Sequence, residues 1–198
     1  MSQSGLHRHI QNQQSNLMTL GIGLALFRAV TQIPDLSGVT DWGFFAATVV
    51  VLVHWHYGAN YVLYHVGPTS DPLRTLWDAG MLVMLTSLAN QLQSPVAWFI
   101  ITGGSYFLAW VKYSLALRQK RYQGELRDYM VRKSWVEVGG FVLSWIGAAS
   151  QWLLPQFGAL YAWGAVVINI AFIYVMTRHF GFYKMGWNPD EWDLDQPT

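Results

Sequence analysis

The chain predicts an all-α polytopic membrane protein, a bundle of six transmembrane helices with both termini on the cytoplasmic side. Three observations carry this reading. Six apolar stretches, at 17–33, 42–66, 72–92, 95–117, 134–153 and 157–178, are each roughly 17–25 residues long, enough to span ~30 Å of hydrocarbon at ~1.5 Å per residue. Apolar residues make up 53% of the chain and charged residues 12%, against about 25% charged in a typical soluble domain. The third observation is the one-sided placement of lysine and arginine.

That placement sets the orientation. With the N-terminus inside, the inner segments hold Arg8, Arg74, Arg118, Lys120, Arg121, Arg127, Arg132, Lys133, Arg178 and Lys184. The outer loops, near 34–41, 93–94 and 154–156, hold no basic residue. The inner segments thus hold ten of the 12 basic residues, and the other two, Arg28 and Lys112, are read as intramembrane. The opposite orientation contradicts the positive-inside rule, so the expected location is a bacterial inner (cytoplasmic) membrane. The formal net charge of +1 carries no indication of nucleic acid, because the basic residues are sorted by membrane side.

Taken in order, residues 1–16 are Gln/Asn/Ser-rich and predict a polar tail. The run Leu17–Phe27 lies far from the start, is followed by Arg28 and has no A-x-A site, which argues against a cleavable signal peptide. Helix 1 carries Gly21-x-Gly23-x-Ala25, small residues that let helix backbones approach; Gly139-Gly140 and Gly147-Ala148-Ala149 do the same in helix 5. Trp42, Trp98 and Trp152 fall near the outer helix ends, and Trp77 and Trp135 near the inner ones, as interfacial aromatics do. The longest connection, 118–133, is a basic cytoplasmic loop with room for partial helix. Its readings are an anchor on anionic headgroups or a docking surface for a protein partner. The acidic tail 181–198, with two tryptophans, is a second candidate partner surface. The transmembrane domain is read as 17–180.

Ionisable residues inside apolar stretches are the candidates for chemistry, since a charge in lipid costs about 2.5 kcal/mol or more and requires a partner, a cavity or a role. Counted from the helix centres, His54 lies near the midplane of helix 2. Arg28 lies ~5 Å toward the outside, and Asp78, Lys112 and Glu137 lie ~6–10 Å toward the cytoplasm. Lys112 therefore has two carboxylates at its level, Asp78 and Glu137, in a structural clamp or an ion or proton path. Arg28 reaches outward, toward Asp35 and Asp41 in the outer loop or toward solvent.

Helix 2 is densest in chemistry. At about 100° per residue His54, Gly58, Tyr61 and His65 share one face, and His56 and Asn60 another. Structural histidines, a proton relay or permeation lining, and tetrapyrrole ligation are the competing readings. For the last, the weak candidate ligands are His54, His65 and His179, of which only His65 and His179 share a level. With Asn169 of helix 6, these residues outline a polar intramembrane path. The absence of cysteine excludes disulfides, thiol nucleophiles, Cys-ligated zinc and iron–sulfur clusters.

Ala29-Val30-Thr31-Gln32-Ile33, the aromatic second helix and Asp71-Pro72-Leu73-Arg74 resemble the first three helices of the low-temperature-requirement A family, over about residues 20–92. The acidic residue usual in that family's first helix falls near Gly23 here. The His-rich second helix is also loosely similar to six-helix lysosomal-type potassium channels, without their Phe-Ser-Asp signature. His56-x-x-x-Asn60 and Gly103-Gly104-Ser105 look like the patterns of rhomboid intramembrane proteases. Those enzymes take their base from a histidine in the outer half of helix 6, where this chain has none; His179 is at the inner end.

The expected function is that of a small transporter or channel-like protein. The alternatives are a non-catalytic membrane subunit or assembly factor of a larger pigment- or haem-containing complex, and a rhomboid-like protein without a complete catalytic set.

Overall fold

The computed structural model describes residues 3–66, 72–118 and 124–179. It gives the backbone alone for 3–15, 57–66, 72–75 and 176–179 and at 77, 116, 125, 126 and 129. The described residues are all-helical: α1 (Gln3–Thr31), α2 (Val39–Val66), α3 (Pro72–Leu88), α4 (Pro95–Leu117), α5 (Gly124–Leu153) and α6 (Gly158–His179), with 3-10 turns at Ile33–Asp35 and Pro155–Phe157. Two segments, Asn16–Asp35 and Pro155–Val175, are long and apolar enough to cross a membrane by length and composition.

Two helices are longer than their apolar stretches. α1 starts at Gln3, so the stretch predicted as a polar tail is helical. Residues 6–20 contain no glycine or proline, and glutamine is a good helix former, so polarity alone does not end the helix. α5 starts at Gly124, inside the predicted loop 118–133. Gly124 has φ of 59°, a left-handed conformation that glycine takes without strain and that turns the chain sharply into the helix. Residues 119–123 and the tail 181–198 lie outside the described residues.

The helices form a ring in the order α5, α4, α3, α1, α2, α6, and α5 and α6 close it with only sparse contact. Glycines set the close approaches. A Cβ at Gly43 of α2 falls 2.7 Å from the Ala162 side chain of α6, and one at Gly147 of α5 falls 2.6 Å from the Phe99 ring of α4. Gly21 of α1 meets Leu82 of α3 in the same way, whereas Gly23 and Gly139 face open space. At the predicted outer end, Gln32 Nε2 donates to the Ala89 carbonyl (2.5 Å) and Gln93 Nε2 to the Asp35 carbonyl (2.8 Å), tying the first turn to the α3–α4 corner.

α2 and α4 fill the ring's interior. Phe44, Trp98 and Phe99 pack with centroids 5.2–5.6 Å apart, Phe99 edge to face with the other two rings, and Trp98 Nε1 donates to the Thr48 hydroxyl at 2.7 Å. The outside carries large apolar side chains on every helix, among them Leu20, Phe27, Val53, Val83, Phe107, Trp152 and Val167. The buried interior, by contrast, holds Thr48, His54, Lys133, Glu137, Gln151 and Asn169.

Candidate functional site

The most concentrated polar chemistry lies where α2, α4 and α5 meet. His54 and Glu137 each fall within ~2 Å of the midpoint of their helices, α2 and α5. Lys133 and Glu137 stand four residues apart on α5, hence one above the other on one face. All three are interior: relative exposure is 4% for His54, 1% for Lys133 and 0% for Glu137. Lys133 Nζ lies 2.6 Å from Glu137 Oε1 and 3.1 Å from His54 Nε2, and it sits 5.9 Å from the centroid of the Trp55 ring, in cation–π range.

Roles follow from donor inventory. A lysine ammonium only donates, so a hydrogen bond from it to His54 requires Nε2 to accept, the tautomer with its proton on Nδ1. The Lys133–Glu137 contact is ionic rather than a directed hydrogen bond. Glu137 Oε2 and Trp55 Nε1 have no hydrogen-bond partner among the described residues, leaving a spare acceptor and a spare donor in the cluster.

Tyr106 of α4 links this cluster to a second polar unit. Its ring packs 5.6 Å from Trp55 and 6.3 Å from His54, and its hydroxyl donates to Asn169 Oδ1 of α6 at 2.7 Å. Asn169 Nδ2 donates back to the Ala165 carbonyl (2.8 Å), so the amide is held on both sides. Gly140 on α5 makes room for Tyr106: a Cβ there falls 2.6 Å from the ring.

The predicted level of Asp78, Lys112 and Glu137 divides in two. Asp78 of α3 and Lys112 of α4 form an ion pair, with side-chain exposures of 13% and 19%. Glu137 joins Lys133 and His54 instead. α5 begins ten residues earlier than its apolar stretch (124 against 134), so Glu137 lies near the helix midpoint and Lys133 falls within the helix. Lys133, assigned from sequence to the end of the cytoplasmic loop, is thereby an interior residue. The signal for it is the i, i+4 spacing with Glu137.

Arg28 is exposed on α1 and makes no ion pair among the described residues. Asp41, one of its predicted partners, accepts instead from Ser37 and Gly38 at the start of α2. His56 is partly buried. The side chains of Asn60, His65 and His179 lie outside the described residues, so their proposed face and axial pairing do too. For His54 the geometry disfavours tetrapyrrole ligation, because Lys133 occupies Nε2. Ser105, the rhomboid-like serine, is buried and its hydroxyl donates to the Thr102 carbonyl at 2.7 Å.

No protein-family model matches the chain, and searches of curated proteins and of solved structures return no significant match.

Proposed function

We propose that this chain is a six-span protein of a bacterial inner membrane, transporter- or channel-like, whose polar path for protons or small ions passes through His54, Lys133 and Glu137. The observation that carries the reading is the hydrogen-bond-distance chain of three titratable side chains in the protein interior. Such a cluster is a poor device for stability alone. Replacing a buried ion pair by apolar residues is often neutral or stabilising by about 1–4 kcal/mol. Intramembrane ionisable groups instead mark ion and proton routes. Glu137 Oε2 supplies the free acceptor through which a relay connects onward, while Trp55 Nε1, a donor only, can orient a neighbouring acceptor.

Six spans are supported by the apolar exterior on every helix and by the basic bias. Removing Lys133 from the ten inner basic residues leaves nine, still all on one side. Asp78–Lys112 acts in this reading as a clamp between α3 and α4. A second reading, a non-catalytic subunit or assembly factor, is favoured by one feature: Trp135 and Trp152 on α5 are 69% and 75% exposed, as anchors for another chain would be. Mass analysis of the protein purified in mild detergent separates the two, since a stoichiometric companion favours the subunit.

The direct test is proton flux in liposomes under an imposed pH gradient, read with an enclosed pH-sensitive dye. The wild type is expected to conduct, and Lys133→Met/Glu137→Leu to lose flux while keeping its helical circular-dichroism spectrum. Equal flux in the double variant, or none in the wild type, overturns the reading. Because the chain lacks cysteine, single cysteines introduced in 34–41 and 119–123 report topology without background; labelling from the same side would rule out the six-span arrangement.

A further inference from the structure

A cavity of about 290 Å³ lies between α4, α5 and α6, where α5 and α6 barely touch. It approaches the lower end of the roughly 300–1,000 Å³ usual for small-molecule sites. Leu143, Ile168 and Phe172 contribute apolar wall, and among the described residues no charged side chain lines it. The electrostatics therefore exclude a charged ligand, which would lose its hydration with no counter-charge in return.

One wall residue is chemically incomplete. Thr102 is 2% exposed, and its hydroxyl has no hydrogen-bond partner among the described residues. A buried helical hydroxyl ordinarily bonds a carbonyl three or four residues back. Here Thr48 bonds the Phe44 carbonyl, Ser105 that of Thr102, and Ser144 that of Gly140. Thr102 alone among these buried hydroxyls does not, and leaving such a group unsatisfied costs about 1–3 kcal/mol. Tyr106 lines the same cavity one turn along α4, so its hydroxyl, already donating to Asn169, offers a neighbouring acceptor.

We propose that this cavity binds an uncharged, mainly apolar small molecule carrying a hydroxyl or carbonyl group, hydrogen-bonded to Thr102 and drawn from the bilayer through the gap between α5 and α6. The site adjoins the His54–Lys133–Glu137 cluster through Tyr106, but none of those three residues lines it. Its test reads binding, so the outcome stands whether or not protons move.

The probe is 4-(hydroxymethyl)benzophenone, a neutral photoreactive alcohol, applied to the full chain in liposomes and mapped by peptide mass analysis. Adducts are expected on the cavity walls, at Leu143 and Ile168 in particular, in preference to the outward-facing Val167 and Ile170. Thr102→Val is expected to lower cavity labelling about fivefold, the worth of one hydrogen bond. Gly164→Leu provides a second, independent variant: Gly164 lines the cavity and a Cβ there meets no atom within 4 Å, so the larger side chain is expected to occupy the volume and abolish labelling. Labelling distributed equally over cavity and outer surface, or unchanged in both variants, overturns the proposal.

Discussion

Two lysine–carboxylate pairs lie among the described residues, and they differ in almost everything but their chemistry. Lys112–Asp78 bridges two neighbouring helices, α4 and α3, and keeps 19% and 13% of its side chains accessible. Lys133–Glu137 lies along one helix, is sealed from solvent, and shares its ammonium with His54 across to α2. The first needs no explanation beyond mutual neutralisation at a helix contact. The second carries a larger desolvation penalty and still leaves a carboxylate oxygen unmatched. The comparison teaches that pairing alone does not mark a functional charge. Burial with an incomplete set of partners is the feature on which the proposed path rests.

The largest expected effect separates the pairs directly. Lys133→Met strands Glu137 in the interior and should destabilise by about 3–5 kcal/mol, measured by thermal or denaturant unfolding in detergent. Adding Glu137→Leu should recover most of that loss, because the uncompensated charge is gone. A double variant as unstable as the single one would show that the pair is a structural keystone after all.

Next in size is packing beside the cluster. Gly140→Ala places a methyl group against the Tyr106 ring and should cost about 1–3 kcal/mol. Gly139→Ala, facing open space one residue away, should be neutral or stabilise by up to about 1 kcal/mol. Equal effects at the two positions would mean that the Tyr106 contact does not hold α4 to α5.

The smallest effect belongs to the partly accessible pair. Lys112→Met should cost about 1 kcal/mol, and the difference from wild type should shrink in high salt, where screening weakens the accessible pair but not the sealed one. A loss as large as that of Lys133→Met would erase the distinction between the two.

Much of the helix pattern was legible in the chain. The apolar run 95–117 coincides with α4, and those at 42–66 and 157–178 lie within a few residues of α2 and α6. Apolar length reports burial in lipid or core, however, and not where backbone hydrogen bonding stops. Both long helices, α1 and α5, therefore run past their apolar segments into polar sequence. The site suffered from that same boundary. His54, Asp78, Lys112, Glu137 and Asn169 are all visible as polar interruptions of apolar sequence. Lys133 sat just outside such a run and Tyr106 looked like any helix aromatic, so neither stood out.

By itself, the sequence determined the all-helical class, the absence of thiol chemistry, the one-sided distribution of basic residues and the interior places of His54, Asp78, Lys112 and Glu137, but not that of Lys133. These depend on composition and on local periodicity, which each segment carries without its neighbours. Only the tertiary structure decided the pairing: Glu137 with Lys133 and His54 instead of with Lys112, and Tyr106 with Asn169 across to α6. The reason is geometric. A residue's depth on its helix, the rotation of that helix and the glycines that let its neighbour approach together fix which polar groups meet, and those are properties of the packed ring rather than of any one segment.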